Sequence, residues 1–427
     1  MPQARHANRR PLNSYFMAME KTISYKARWV FPIVSPPIDG GVVTVSQGRI
    51  VAVGNESIGN ETCDLGDVAL LPGFVNAHTH LELSEYDEPA GAPGMAFPDW
   101  IRLIVAQRRA AAIAPGGEDS ALDPTQHRIA AIRKGMKESH AYGVAVIGDI
   151  ASPGVPLDEY GSADRSNIAF LELLGLADDA QPALRATAEA FAQAQMPTGC
   201  IAALSPHAPY TVSTTLLNYV CELSAVRRVP VAMHLAESLD ELELLASHSG
   251  RFVDLLQELN AWNSGAIPRG IKPLDYLEIL AVAHRSLVIH GNFLSPTEIS
   301  FLGQHRERMS VIYCPRTHAY FLPSKYPLSE MLAAGVHVAI GTDSRASNPD
   351  LSILEELRFI CRNHPEIDPA NVLQLGTISG AKALGQDADY GSLEVAKRAH
   401  FAVVNLSSDS TTDPYDQLLG SNSNPKT

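Results

Sequence analysis

The chain has 427 residues, 45% hydrophobic and 19% charged, which excludes a disordered or low-complexity protein and leaves ample material for a core. Its formal net charge of −14 argues against nucleic acid or an anionic membrane as the main partner. Five cysteines, widely spaced and without a C-x-x-C pair, exclude a disulfide framework and a thiolate zinc site and fit a reducing cytoplasm.

In chain order, residues 1–21 carry Arg5, Arg9 and Arg10 with no apolar stretch behind them, so they read as a flexible extension and not a secretory signal. Residues 22–67 hold short runs punctuated by Gly-Gly and Gln-Gly, the pattern of a small antiparallel sheet. Eight mostly continuous apolar runs follow, over 68–80, 143–149, 167–174, 200–207, 229–234, 286–290, 309–314 and 337–343. Such runs suit strands buried on both faces. Helix-like stretches over 98–112, 122–142, 184–195, 214–227, 239–259, 297–303, 328–334 and 351–363 alternate with them. The alternation predicts an α/β fold, a (β/α)8 barrel over 68–386. Residues 390–406 return to the strand pattern. The segments 22–67 and 387–427 are therefore expected to build one small β-sandwich domain, with a polar tail after Leu406 that frays. No apolar run reaches the ~18 residues of a membrane span.

Six of the 15 histidines stand at or just beyond the ends of the apolar runs. In a strand, residues i and i+2 share a face. His78 and His80 would thus both face the barrel mouth, where barrel active sites lie. His234 ends a third run and Asp343 a fourth. Three imidazoles and a carboxylate make a shell for one divalent cation, Zn²⁺ or Fe²⁺, with room for water. Glu237, three residues past His234, is placed to exchange protons with that water. His290 ends a further run and is read as polarising the water or the substrate. Substrate contacts are expected from His207 in SPHAPY, from Glu82 two residues beyond His80, and from Arg316 and His318 in CPRTHAYF. Only half of the zinc deaminase signature is present. His80-Leu81-Glu82 matches H-x-E, but no P-C-x-x-C follows. The nucleophile elbow, the P-loop and H-E-x-x-H are absent as well.

The strings LPGFVNAHTHLELS, LSPHAPYTVS, MHLAES, VIHGNF, VIYCPRTHAYF and IGTDSRASNP resemble the amidohydrolase superfamily, in its mononuclear aminohydrolase branch. GSLEVAKRAHFAVV is similar to the closing β-segment of that family, so the resemblance spans residues 25–406. It implies a (β/α)8 barrel with a β-sandwich from both termini. It also implies one Zn²⁺ or Fe²⁺ on His78, His80, His234 and Asp343, with Glu237 as proton shuttle. His290 and Asp343 would orient the attacking hydroxide, and His207 would touch the substrate. HTHLELS, SPHAPY and FPDWIRLIVAQR look like deaminases of adenosine-type compounds, such as S-adenosylhomocysteine, methylthioadenosine and aminodeoxyfutalosine. The implied reaction attacks the amine-bearing ring carbon with hydroxide and releases ammonia. Chlorohydrolysis of a triazine, hydrolysis of a free nucleobase and a binding-only homologue are the competing readings. His318 stands where many relatives have Asn, and Ala399-His400 where an Ala-Asp pair is usual. The expected partner is a small-molecule substrate, the expected location the cytoplasm, and the oligomeric state is open, a homo-oligomer included.

Overall fold

The computed structural model describes residues 21–113, 124–322, 324–406 and 412–420. The expected N-terminal extension therefore lies outside the described residues, apart from residue 21. Eight parallel strands form one sheet: β1 (Phe74–Thr79), β2 (Val144–Ala151), β3 (Ser166–Leu173), β4 (Cys200–Pro206), β5 (Val231–Leu235), β6 (Ser286–His290), β7 (Met309–Tyr313) and β8 (Val338–Ile340). Each strand pairs with the next in chain order. The backbone N–H groups of Thr342 and Asp343 donate to the carbonyl of His78, each at 3.1 Å, and bring the last strand back to the first. Gly341 permits that approach, because a Cβ there would stand 2.7 Å from the His78 carbonyl oxygen.

The strands are continuously apolar because both faces are covered. Val75, Phe170, Ala203, Leu287, Ile312 and Ala339 belong to one buried cluster, and a larger cluster fills the layer between strands and helices. Side chains at the C-terminal ends of the strands therefore emerge from a rigid, packed ring.

Two four-stranded sheets lie outside the barrel ladder. In one, Thr22–Lys26 pairs antiparallel with Val42–Ser46 and parallel with Glu61–Asp64, so the sheet is mixed and not wholly antiparallel. In the other, Phe401–Asn405 pairs antiparallel with Val68–Pro72. Ala27, Val30, Val43, Ile50, Val68 and Leu70 are buried together between the sheets. The fold is thus a barrel with a small β-sandwich drawn from both ends of the chain.

Three local expectations are corrected. The run 68–80 divides at Gly73. Its first half joins the sandwich, and only Phe74–Thr79 enters the barrel. The stretch 239–259 is two helices, Leu239–Ser247 and Arg251–Glu258, separated where His248 and Gly250 take φ of 53° and 89°. The polar tail contains a helix, Pro414–Leu419, capped by the Asp413 carboxylate and anchored by buried Leu418 and Leu419. No described helix is long and apolar enough to cross a membrane.

Candidate active site

His78 lies near the end of β1 and is 1% exposed, and neither of its ring nitrogens has a hydrogen-bond partner. His80, one step past the strand, places Nε2 3.3 Å from Nε2 of His234. Asp343 follows β8 with a φ of 56°, and its Oδ1 is 3.6 Å from Nε2 of both His78 and His80. Its other oxygen accepts from Ser347 Oγ at 2.8 Å, which fixes the carboxylate in rotation. The Nδ1–H of His234 donates to the carbonyl of His207 at 3.0 Å, which leaves the Nε2 lone pair for the centre. Burial pushes His78 and His80 well below the usual histidine range and His234 down to about 4. All three imidazoles are therefore neutral, as a metal ligand must be. One donor atom from each of His78, His80 and Asp343 lies within 4.8 Å of the others, and the same holds for His78, His234 and His290. Three neutral nitrogens, one carboxylate and two buried ring nitrogens without a partner fit a divalent cation.

The turn after β5 carries the acidic group. Ala236 has φ of 52°, and the Glu241 carboxylate accepts from the backbone N–H of Ala236 at 2.8 Å and of Glu237 at 2.9 Å. That folds Glu237 back over the strand end. Its Oε1 is 3.3 Å from Nε2 of His290, and its Oε2 is buried without a partner. Burial first, then the nearby Asp343 and Glu241 carboxylates, push the Glu237 carboxyl well above its ordinary range. Such a carboxyl can hold a proton near neutral pH and give it up. His290 takes φ of 67°, and its carbonyl accepts from Tyr326 OH at 2.7 Å, which holds this uncommon backbone in place.

His80, His234, Glu237, His290 and Asp343 line a cavity of about 300 Å³. Its lining includes the polar His207, Glu82 and Glu172 and the apolar Phe97, Trp100 and Ile101 from the helix Phe97–Ile113 and Leu255 and Leu256 from Arg251–Glu258. His207 holds Thr211 Oγ1 at 2.8 Å through Nδ1 and lies 3.8 Å from Glu172 Oε1 through Nε2. Glu82 Oε1 accepts from Ser152 N at 2.9 Å, and its Oε2 is 3.9 Å from Arg108 Nη2.

Of the residues expected to contact substrate, His207 and Glu82 line this cavity. Arg316 does not, and that expectation is corrected. Its guanidinium is turned to Glu356 Oε1 at 2.6 Å and to Asp350 Oδ1 at 2.6 Å and Oδ2 at 3.0 Å, an ion cluster packed against the helix Ile353–Asn363. His318 lines a smaller, adjoining cavity, with Nε2 donating to the carbonyl of Ser324 at 2.9 Å.

Two acidic groups were missed. Glu172 sits next to last in β3, and burial raises its pKa. A carboxylate inside the apolar string NIAFLELL was the available signal. Asp149, fully buried in β2, accepts from Leu81 N at 2.7 Å and Tyr160 OH at 2.6 Å, and so pins the chain immediately after His80.

The amidohydrolase family model matches residues 69–426. The aminodeoxyfutalosine deaminase of Deinococcus radiodurans is 27% identical over 81% of this chain and 81% of its own length. The 5-methylthioadenosine/S-adenosylhomocysteine deaminase of Moorella thermoacetica is 28% identical over 91% of this chain and 86% of its own length. Among solved structures, an adenosine deaminase from Xanthomonas campestris with bound zinc superposes with a TM-score of 0.75 at 24% identity. It covers 93% of this chain and 89% of its own.

Proposed function

Because this chain belongs to the amidohydrolase family, and so is a hydrolase of carbon–nitrogen bonds, we propose that it is a hydrolytic deaminase of adenosine-type nucleosides. It would hold one divalent cation, Zn²⁺ before Fe²⁺, on His78, His80, His234 and Asp343. The observation that carries this reading is the buried Glu237 carboxylate, with one oxygen beside His290 and one without a partner, at the edge of a cluster of neutral histidines. Two of the relatives named above are an aminodeoxyfutalosine deaminase and a 5-methylthioadenosine/S-adenosylhomocysteine deaminase.

When bound, the cation supplies Lewis-acid chemistry that brings the pKa of water toward about 7. The protein's own groups do the rest. Glu237 takes a proton from the attacking water, gives it to the ring nitrogen next to the amine-bearing carbon, and then helps move a second proton to the departing nitrogen. His290 holds Oε1 of Glu237. Asp343, held by Ser347, orients the water. Glu82, Glu172 and His207 provide hydrogen-bonding partners for ribose hydroxyls, and Trp100, Ile101, Leu255 and Leu256 cover the 5′ substituent; all of them line the cavity. Free cysteines fit a cytoplasmic location.

The test is ammonia release by the metal-loaded enzyme from adenosine, methylthioadenosine, S-adenosylhomocysteine, adenine, guanine, cytosine and a chlorotriazine. A 5′-substituted adenosine compound is expected to give the highest kcat/KM. A free base or a triazine in first place overturns the reading.

A further inference from the structure

Ser238-Leu239-Asp240-Glu241 has the S-x-x-E form of a capping box. In that motif the acidic residue at the third helical position turns back to the N–H of the capping residue. Ser238 does cap the helix Leu239–Ser247, its Oγ accepting from Glu241 N at 3.1 Å. The Glu241 carboxylate, however, reaches one and two residues further back. Its Oε1 accepts from Ala236 N at 2.8 Å and its Oε2 from Glu237 N at 2.9 Å.

Both oxygens are thus spent on the turn that carries Glu237. Three consecutive carbonyls of the same turn are held by another segment. Leu235 O accepts from Gly291 N at 3.1 Å, Ala236 O from Phe293 N at 3.0 Å and Glu237 O from Asn292 Nδ2 at 2.9 Å. The carbonyls therefore tie the turn to the residues after His290, and the two N–H groups tie it to Glu241. Ala236 takes φ of 52°, a left-handed backbone that a residue with a Cβ keeps only where its surroundings impose it. Glu241 is fully buried, and among the described residues no lysine, arginine or histidine pairs with it. Burial pushes its carboxyl up to about 7, while the backbone N–H groups of Glu237, Ala236 and Ser238 act against that shift. A buried carboxylate without a counter-ion is costly to keep for capping alone.

We propose that Glu241 is a positioning residue of the reaction. By accepting from both amides of the turn, it holds Ala236 in its left-handed conformation and sets where the Glu237 carboxylate lies against Nε2 of His290. Glu241 does not line the substrate cavity and acts through Glu237. The proposal rests on the reading of Glu237 as the proton-transferring group.

The test is a double-mutant cycle on the metal-loaded enzyme, run with whichever compound of the panel above gives the highest kcat/KM. Glu241→Gln keeps the size and one acceptor but sets an amide NH₂ against a backbone N–H. It is expected to lower kcat about 10²-fold, the cost of a misplacement of roughly 1 Å, with KM and metal content within about twofold of the wild type. In the Glu237→Gln background the same change is expected to alter kcat by less than about twofold, because the group it positions is already gone. Leu244→Ala removes a buried side chain from the same helix and is expected to lower the unfolding midpoint while kcat stays within about twofold. Should Glu241→Gln not fold, Glu241→Asp, which keeps the charge and shortens the reach by one methylene, enters the cycle with the same expectations. Losses that multiply in the double variant, a loss in KM and not in kcat, or a loss in Leu244→Ala as large as in Glu241→Gln overturns the proposal. Failure of the underlying reading looks different, because Glu237→Gln then keeps near wild-type turnover. Hydrogen exchange gives a readout independent of activity. The amides of Ala236 and Glu237 are expected to exchange at least about tenfold faster in Glu241→Gln, the worth of one hydrogen bond to a charged group, and equal exchange overturns the proposal. If no compound of the panel is turned over, exchange at these two amides alone decides whether Glu241 holds the turn.

Discussion

Glu237 Oε1 lies 3.3 Å from Nε2 of His290, while Oε2 of the same carboxylate is buried with no hydrogen-bond partner. Glu237→Gln is nearly isosteric and preserves the contact with His290, but it cannot take up and return a proton. The variant is expected to bind metal and fold as the wild type does while losing about 10²–10⁴-fold in kcat, the usual range for general acid–base catalysis. Elemental analysis, thermal unfolding and ammonia release measure the three quantities. Near wild-type turnover would move the role to another group, His290 first.

The second prediction concerns the cation. The wild type should purify with about one divalent metal per chain, the number that three imidazoles and one carboxylate around one centre can hold. His234→Ala removes a nitrogen 3.3 Å from His80 and should lose most of the metal and the activity with it. Full metal occupancy in that variant would show that His234 is not a ligand.

Arg316 gives a prediction of opposite kind. Its guanidinium joins Asp350 and the fully buried Glu356. Arg316→Met would leave those carboxylates without their cation, and breaking a buried pair from one side costs about 3–5 kcal/mol. Denaturant unfolding should show that loss, while residual folded enzyme keeps its KM for nucleoside. A raised KM at unchanged stability would return Arg316 to the substrate.

The barrel was legible because each strand is an apolar run that ends in a polar residue, and a polar residue in that position has few purposes except the mouth. His78 and His80 could be read from their i, i+2 spacing, and His234 and Asp343 from their strand ends. Glu172 obeys the same rule and was overlooked because two leucines follow it in LELL. Arg316 was misread for a different reason. Its partners stand 34 and 40 residues further along, and no local pattern announces a contact made by tertiary packing. The split at Gly73 and the helix break at His248 and Gly250 were marked by glycine, but the apolar periodicity on both sides masked them. The helix Pro414–Leu419 carried its own signal, an Asp-Pro start, inside a segment whose polar composition suggested only fraying.

His337 supplies a pH prediction away from the active site. Burial, then Lys382 and Arg285, push it down to about 4, and its Nε2 is buried without a partner. The unfolded chain, with an ordinary histidine near 6.5, binds this proton more readily than the folded one. Its contribution is therefore present above about pH 6.5 and is lost as the pH falls toward about 4. Between pH 7 and pH 5, urea unfolding should show the wild type losing up to about 2 kcal/mol more than His337→Gln. Equal losses in the two proteins would mean that His337 takes up its proton in the folded state as readily as in the unfolded one.

The last prediction concerns substrate selection by the polar wall. His207 and Glu172 face each other at 3.8 Å beside the ligand cluster, and Glu82 completes the row along the cavity. Carboxylates and an imidazole buried this way can satisfy ribose hydroxyls, which a free base or a triazine lacks. A site built around such groups rejects analogues without them, by up to ~10⁴–10⁵ where the groups are left unpaired. Adenine should therefore be a poor substrate. His207→Ala and Glu172→Gln should each raise KM for the nucleoside about tenfold or more, the worth of one hydrogen bond involving a charged group. Neither should alter the weak activity on adenine by more than about twofold. Steady-state kinetics on both compounds separates the outcomes. If the two variants slow nucleoside and free base alike, His207 and Glu172 support the metal floor and not the sugar, and the ribose assignment of this wall is wrong.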